Sequence, residues 1–170
     1  MNFKLKFQKI NNNFISNLPI TLGIDPGAHF TGIVIVQLDK LIQTILIEFP
    51  LKIEPPQIIS LTIQAFEQVL EQINQIPIKE VLIEKYRISQ RKSFHKTFFT
   101  IGTIMTILTL KNIPFKEISF RSCQSLIKKL TKKNIKHPLL DFYFAEKNSH
   151  IKDALSLVIW EKFNKIKLND

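Results

Sequence analysis

Leu22-Gly23-Ile24-Asp25-Pro26-Gly27-Ala28-His29-Phe30-Thr31-Gly32-Ile33-Val34-Ile35-Val36 decides the fold of this chain. A short apolar run delivers an aspartate to a Pro-Gly turn, and a second apolar run starts after Thr31-Gly32. Pro26 fixes its own φ and Gly27 can take positive φ, so the two runs read as neighbouring antiparallel strands. Asp25 then stands at the end of a buried strand, where a carboxylate is costly unless something pairs with it. Taken alone, Asp-Pro-Gly is equally well explained as an Asx-type turn. The rest of the chain decides between the two.

Outward from this hairpin, residues 20–25 form the first strand, 31–38 the second and 41–49 the third, with Asp39-Lys40 as a tight polar turn. Such a meander is mostly apolar and is expected to be covered on both faces. Pro50, Pro55 and Pro56 break the chain. Ile59, Ile63, Phe66, Val69, Leu70 and Ile73 then recur at helical spacing over 57–74, and Pro77 ends that segment. Residues 79–84 make another short buried strand that delivers Glu84 at its end. A second helix is expected over 93–111, a fifth strand over 114–120, a basic amphipathic helix over 121–133 and a final helix over 149–165, with 134–148 irregular. The order β-β-β-α-β-α-β-α implies an α/β ribonuclease-H-like fold, a mixed five-stranded sheet flanked by helices. One domain occupies 20–165, behind a basic N-terminal arm at 1–19, and no internal repeat is visible.

The chain has 170 residues, with 24 Lys and Arg against 14 Asp and Glu, a net charge of +10. That balance points to an anionic partner, nucleic acid ahead of a membrane surface. The longest apolar stretch, 101–110, is too short for a membrane span and is broken by Gly102 and by threonines. A single cysteine, Cys123, excludes an internal disulfide framework and suits a reducing, intracellular compartment. The abundance of Ile, Lys, Asn and Phe with only Arg87, Arg91 and Arg121 as arginines matches an AT-rich genome, that of a bacterium or an organelle. Residues 1–19 carry Lys4, Lys6 and Lys9 without acid, arginine or a long apolar run, so they read as an arm rather than a targeting peptide.

Asp25, Glu84 and Asp153 arrive on three elements that such a fold can bring together. Asp153 is expected in the first turn of the last helix, and His150, three residues earlier, projects from the same helix face. Each has an ordinary explanation: Glu84 as an exposed strand end beside Lys85, Asp153 as an acid at a helix start, His150 as a surface residue. Those explanations weaken when all four residues occur in this order. Carboxylates gathered at one point repel unless a cation sits among them, and Mg²⁺ prefers oxygen ligands while tolerating an imidazole. Two such ions can activate a water and stabilise the leaving oxygen in phosphodiester hydrolysis.

Thr21-Leu22-Gly23-Ile24-Asp25-Pro26-Gly27 with Thr31-Gly32, then Val81-Leu82-Ile83-Glu84, then His150-Ile151-Lys152-Asp153-Ala154-Leu155 resemble the three motifs of RuvC-type Holliday-junction resolvases. The resemblance spans nearly the whole chain and implies a homodimer that uses Mg²⁺ or Mn²⁺ to nick opposite strands of a four-way DNA junction. It assigns Asp25, Glu84 and Asp153 as metal-binding acids and His150 as a position where relatives carry Asp or His. The chain departs from the pattern after Glu84, where an aromatic three residues on is replaced by Arg87 with Tyr86 before it. A lysine of the helix after the fifth strand is replaced by Gln124, and the loop before the third motif is short.

Basic residues flank two of the acidic motifs and are expected on DNA: Arg87, Arg91 and Lys92 with Tyr86 as a stacking ring, then Lys128, Lys129 and Lys132. The competing readings are a RuvC-like domain of an RNA-guided nuclease, a sugar-kinase or actin-like ATPase, and an inactive relative that binds branched nucleic acid. The first lacks an HNH insert and an arginine-rich helix here, and the second needs far more chain.

Overall fold

The computed structural model describes residues 2–10, 15, 17–86 and 94–164. Six strands form one sheet: β1 (Lys4–Lys9), β2 (Ile20–Asp25), β3 (Phe30–Gln37), β4 (Lys40–Glu48), β5 (Ile78–Glu84) and β6 (Phe115–Ile118). Their spatial order is β1-β4-β3-β2-β5-β6. The β2-β3-β4 meander is antiparallel, β5 joins β2 in parallel and β6 joins β5 in parallel. The helices are α1 (Pro55–Gln72), α2 (Phe94–Leu110), α3 (Phe120–Lys132), α4 (Pro138–Ala145) and α5 (Ser149–Phe163).

Strand alternation sorts the sheet residues into two cores. Leu22, Ile24, Ile33, Ile35 and Ile83 pack with Phe66, Val69, Ile104 and Leu108 of α1 and α2. Val34, Val36 and Leu82 pack on the opposite face with α3, α4 and α5. The meander is thus covered on both sides, which explains its near-continuous apolar sequence.

The sheet has six strands where five were expected, because Lys4–Lys9 pairs antiparallel with β4 from Lys4↔Glu48 to Lys9↔Gln43. Phe3 and Leu5 rest against the core while Lys6 reaches Glu48, so a period-two pattern lies within the basic arm. The turn between β3 and β4 is Leu38-Asp39, at φ 46° and 66°, one residue earlier than expected. Residues 134–148 are not irregular throughout: Pro138 opens α4, and His137 caps it by accepting a bond from the Leu139 amide. Asp153 lies in the second turn of α5 rather than the first, since α5 begins at Ser149.

Candidate active site

The two strand-borne acids meet because their strands are parallel neighbours. The register pairs Gly23 with Leu82 and Ile24 with Ile83, so Asp25 and Glu84 come next on the same edge. Two-residue alternation points both toward α5, the face on which Leu82 packs.

Glycines set how closely α5 approaches. A Cβ on Gly32 would stand 2.3 Å from the His150 carbonyl oxygen, and one on Gly23 2.3 Å from that of Ala154. The backbone of α5 therefore lies directly on β2 and β3 at the turn that carries His150 and Asp153. Asn148 fixes the start of that helix, its side chain accepting from the amides of His150 at 3.0 Å and Ile151 at 3.2 Å.

The turn after Asp25 works differently from expectation. No glycine among the described residues has positive φ. Gly27 is needed for space instead, because a Cβ there would meet the Phe30 carbonyl oxygen at 2.3 Å. Buried Thr31 accepts from the Gly27 amide at 3.4 Å, and Thr100 of α2 donates to the Gly27 carbonyl at 3.3 Å.

His150 Nδ1 lies 2.6 Å from Asp25 Oδ2, and its ring stacks on Phe30 with centroids 5.6 Å apart. Asp25 is 7 % exposed. The bond to Asp25 raises the His150 pKa above its usual 6.5 against the opposing effect of burial. Burial, a hydrogen bond with Asp25 and the charges of Asp25 and Asp153 push Glu84 up to about 9. Burial and the Asp25 charge lift Asp153 to about 6, opposed by His150 and Lys152. The three acids therefore sense one another, and Glu84 keeps a proton where an ordinary glutamate has lost it.

Asp25, Glu84 and Asp153 offer the hard oxygen donors that a divalent cation takes, and a cation could replace the proton that Glu84 retains. Among the described residues, no group of three His, Cys, Asp or Glu side chains is drawn together as a metal cage. His150 Nδ1 is committed to Asp25.

No family model and no curated protein sequence matches the chain. Solved structures do. One is Thermus thermophilus RuvC in complex with a Holliday junction substrate, with a TM-score of 0.65 at 15 % identity over 85 % of this chain and 95 % of that one. Another Thermus thermophilus RuvC structure gives 0.63 at 12 % identity over 85 % and 96 %. The chain has the RuvC fold. The motif resemblance and the RuvC-like architecture therefore agree, although so few residues are shared.

The RuvC-like frame places the other expected site residues unevenly. Tyr86 leaves β5 half-buried, packed edge-on to Phe98 of α2 at 5.9 Å and hydrogen-bonded to Thr97. Arg87, Arg91 and Lys92 lie outside the described residues. Lys96 is tied back to the Ile53 carbonyl at 2.7 Å. Lys128, Lys129 and Lys132 are exposed on α3. Residues given no role from the sequence also bear on the site: Thr31 and Thr100 brace the Asp25 turn, and Tyr143, Phe144 and Lys152 border a cleft beside α3. The proline after His137 was the available signal for α4, whose eight residues are too uniformly apolar to show helical periodicity.

Proposed function

We propose that this protein is a Mg²⁺-dependent, structure-selective DNA endonuclease that resolves four-way junctions by paired symmetric nicking, in DNA recombination and repair. The observation that carries the reading is that the β2-β5 register sets Asp25 beside Glu84 while the turn of α5 that bears His150 and Asp153 lies directly against β2 and β3, on a RuvC-like fold. Asp25, Glu84 and Asp153 would hold Mg²⁺ or Mn²⁺, with His150 beside them. When bound, the metal supplies water activation and stabilises the charge that builds on the leaving oxygen. The chain's own part is orientation: the β2-β5 register fixes two carboxylates, α5 fixes the third, and His150 holds Asp25. Exposed Lys128, Lys129 and Lys132 would attract the phosphate backbone without reading sequence.

A two-fold substrate calls for two sites on a matching axis, and we assign the second to another copy of this chain. Between α1 and α2 lies an apolar groove of about 480 Å³ bordered by Ile59, Ile63, Phe98, Phe99 and Leu110. Leu110 is 77 % exposed, and a Cβ on Gly102 would meet nothing within 4 Å, so this face has room for a partner helix. Light scattering at micromolar concentration is expected to give a dimer that Leu110→Lys weakens; a monomer with and without junction DNA overturns the assignment.

Purified protein incubated with a labelled four-way junction and Mg²⁺ should nick it at symmetric positions and leave a linear duplex intact. Junction binding without nicking under Mg²⁺ and Mn²⁺ would instead favour the inactive binder of branched nucleic acid.

A further inference from the structure

Beside the start of α5, α3, α4 and α5 enclose an open cleft of about 570 Å³. Its walls combine Lys128, Lys132 and Lys152 with Tyr143 and Phe144, and no acidic side chain lines it. Lys128 and Lys132 stand one helical turn apart on the exposed side of α3, and neither has a carboxylate partner among the described residues. Lys152 Nζ lies 4.8 Å from the centre of the Tyr143 ring, which steadies the ammonium at the cleft wall. Phe144 touches Tyr143 at right angles, with centroids 5.4 Å apart, yet stays 55 % exposed. The cleft adjoins Asp153, which follows the lining residue Lys152 in the chain and whose charge reaches Tyr143.

Cations of one sign around an exposed ring suit a polymer that alternates anions with planar apolar groups. An acyl chain gains nothing from the lysines, and an acidic peptide leaves the ring unused. An intact duplex also leaves the ring unused, since its bases are already stacked on one another. We infer that this cleft holds a nucleic-acid strand at an unpaired nucleotide, its base stacked on Phe144 and its flanking phosphates on Lys128, Lys132 and Lys152. The inference rests on the proposed function only for nucleic acid as the partner; it does not require cleavage. A strand seated there would leave its paired portion beside Asp153.

The test is binding without divalent metal, so that no strand is cut. The probes are a duplex with a single-stranded tail containing 2-aminopurine and a blunt duplex of equal length, at fixed salt. Wild type should bind the tailed probe roughly tenfold tighter, and Phe144→Ala should lose that preference, since one base–aromatic stack is worth about that much or more. Phe144→Ala should bind the blunt probe as wild type does. Phe144→Trp should keep the preference, and its emission above the Trp160 background should be quenched by the tailed probe. Lys128→Ala with Lys132→Ala should weaken both probes and flatten the salt dependence by about one to two ions.

Equal binding of both probes by wild type, an equal loss on both in Phe144→Ala, or unchanged Phe144→Trp emission overturns the inference. So does comparable binding of polyglutamate or of phosphatidylserine vesicles. Junction cleavage in Mg²⁺ separates the two readings: cleavage without tail preference defeats only this inference, and tail preference without cleavage defeats only the nuclease.

Discussion

Replacing Gly32 with alanine adds one methyl group where β3 meets the backbone of α5. The new Cβ would lie 2.3 Å from the His150 oxygen, 2.4 Å from its carbonyl carbon and 2.9 Å from the Ile151 nitrogen. All three are backbone atoms, so no rotamer change relieves the clash. Ordinary contact begins near 3.4 Å, so the helix start must retreat by about 1 Å. Overpacking of this kind costs about 1–3 kcal/mol, to be read as a lower midpoint in urea unfolding. The same retreat stretches the 2.6 Å bond between His150 and Asp25 toward the limit of hydrogen bonding. The His150 pKa, raised by that bond, should then fall back toward 6.5, as an NMR titration of its ring protons would report. Displacement of catalytic groups by this much costs about 100-fold in rate, so junction nicking by Gly32→Ala should fall by that order well below its melting temperature. Wild-type stability together with an unmoved His150 titration would refute the claim that this glycine sets the site.

Asp25→Asn should abolish nicking while junction binding, measured by gel shift in Ca²⁺, stays equal or strengthens; undiminished nicking, or loss of the folded circular dichroism spectrum, counts against its role. His150→Asp should keep substantial Mg²⁺-dependent activity and His150→Ala should lose most of it, and wild-type rates in the alanine variant would make His150 a bystander. Without divalent metal, thermal stability should fall as pH rises from about 4.5 to about 9. The folded protein keeps a proton on Glu84 over that window that the unfolded chain releases, so the native state binds more protons and loses ground as pH rises. Excess Mg²⁺ should flatten that decline by taking the place of the proton, and a metal-free stability that climbs with pH across this window would contradict the placement of Glu84. Glu84→Gln should flatten it as well.

The order of the strands and of the main helices was legible because apolar periodicity reports local burial directly. Asp25, Glu84, His150 and Asp153 could be named because acids stand at the ends of apolar runs and repeat a motif order. What escaped were features whose energy is not local. Lys4–Lys9 alternates apolar and basic residues, but it becomes a strand only because β4 has a free edge to pair with. Pro138–Ala145 is apolar except for Asp141, so its helix is stabilised by packing against α5 and β4 rather than by its own pattern. The amino-acid sequence alone determined which residue types reach the site and on which elements. Only the tertiary structure decided how close they come: the parallel β2-β5 register sets Asp25 beside Glu84, and glycine without a Cβ lets α5 lie on the sheet with His150 2.6 Å from Asp25. Hydrogen bonds and Coulomb forces act over ångströms, and such distances are set by backbones packed from far apart in the chain.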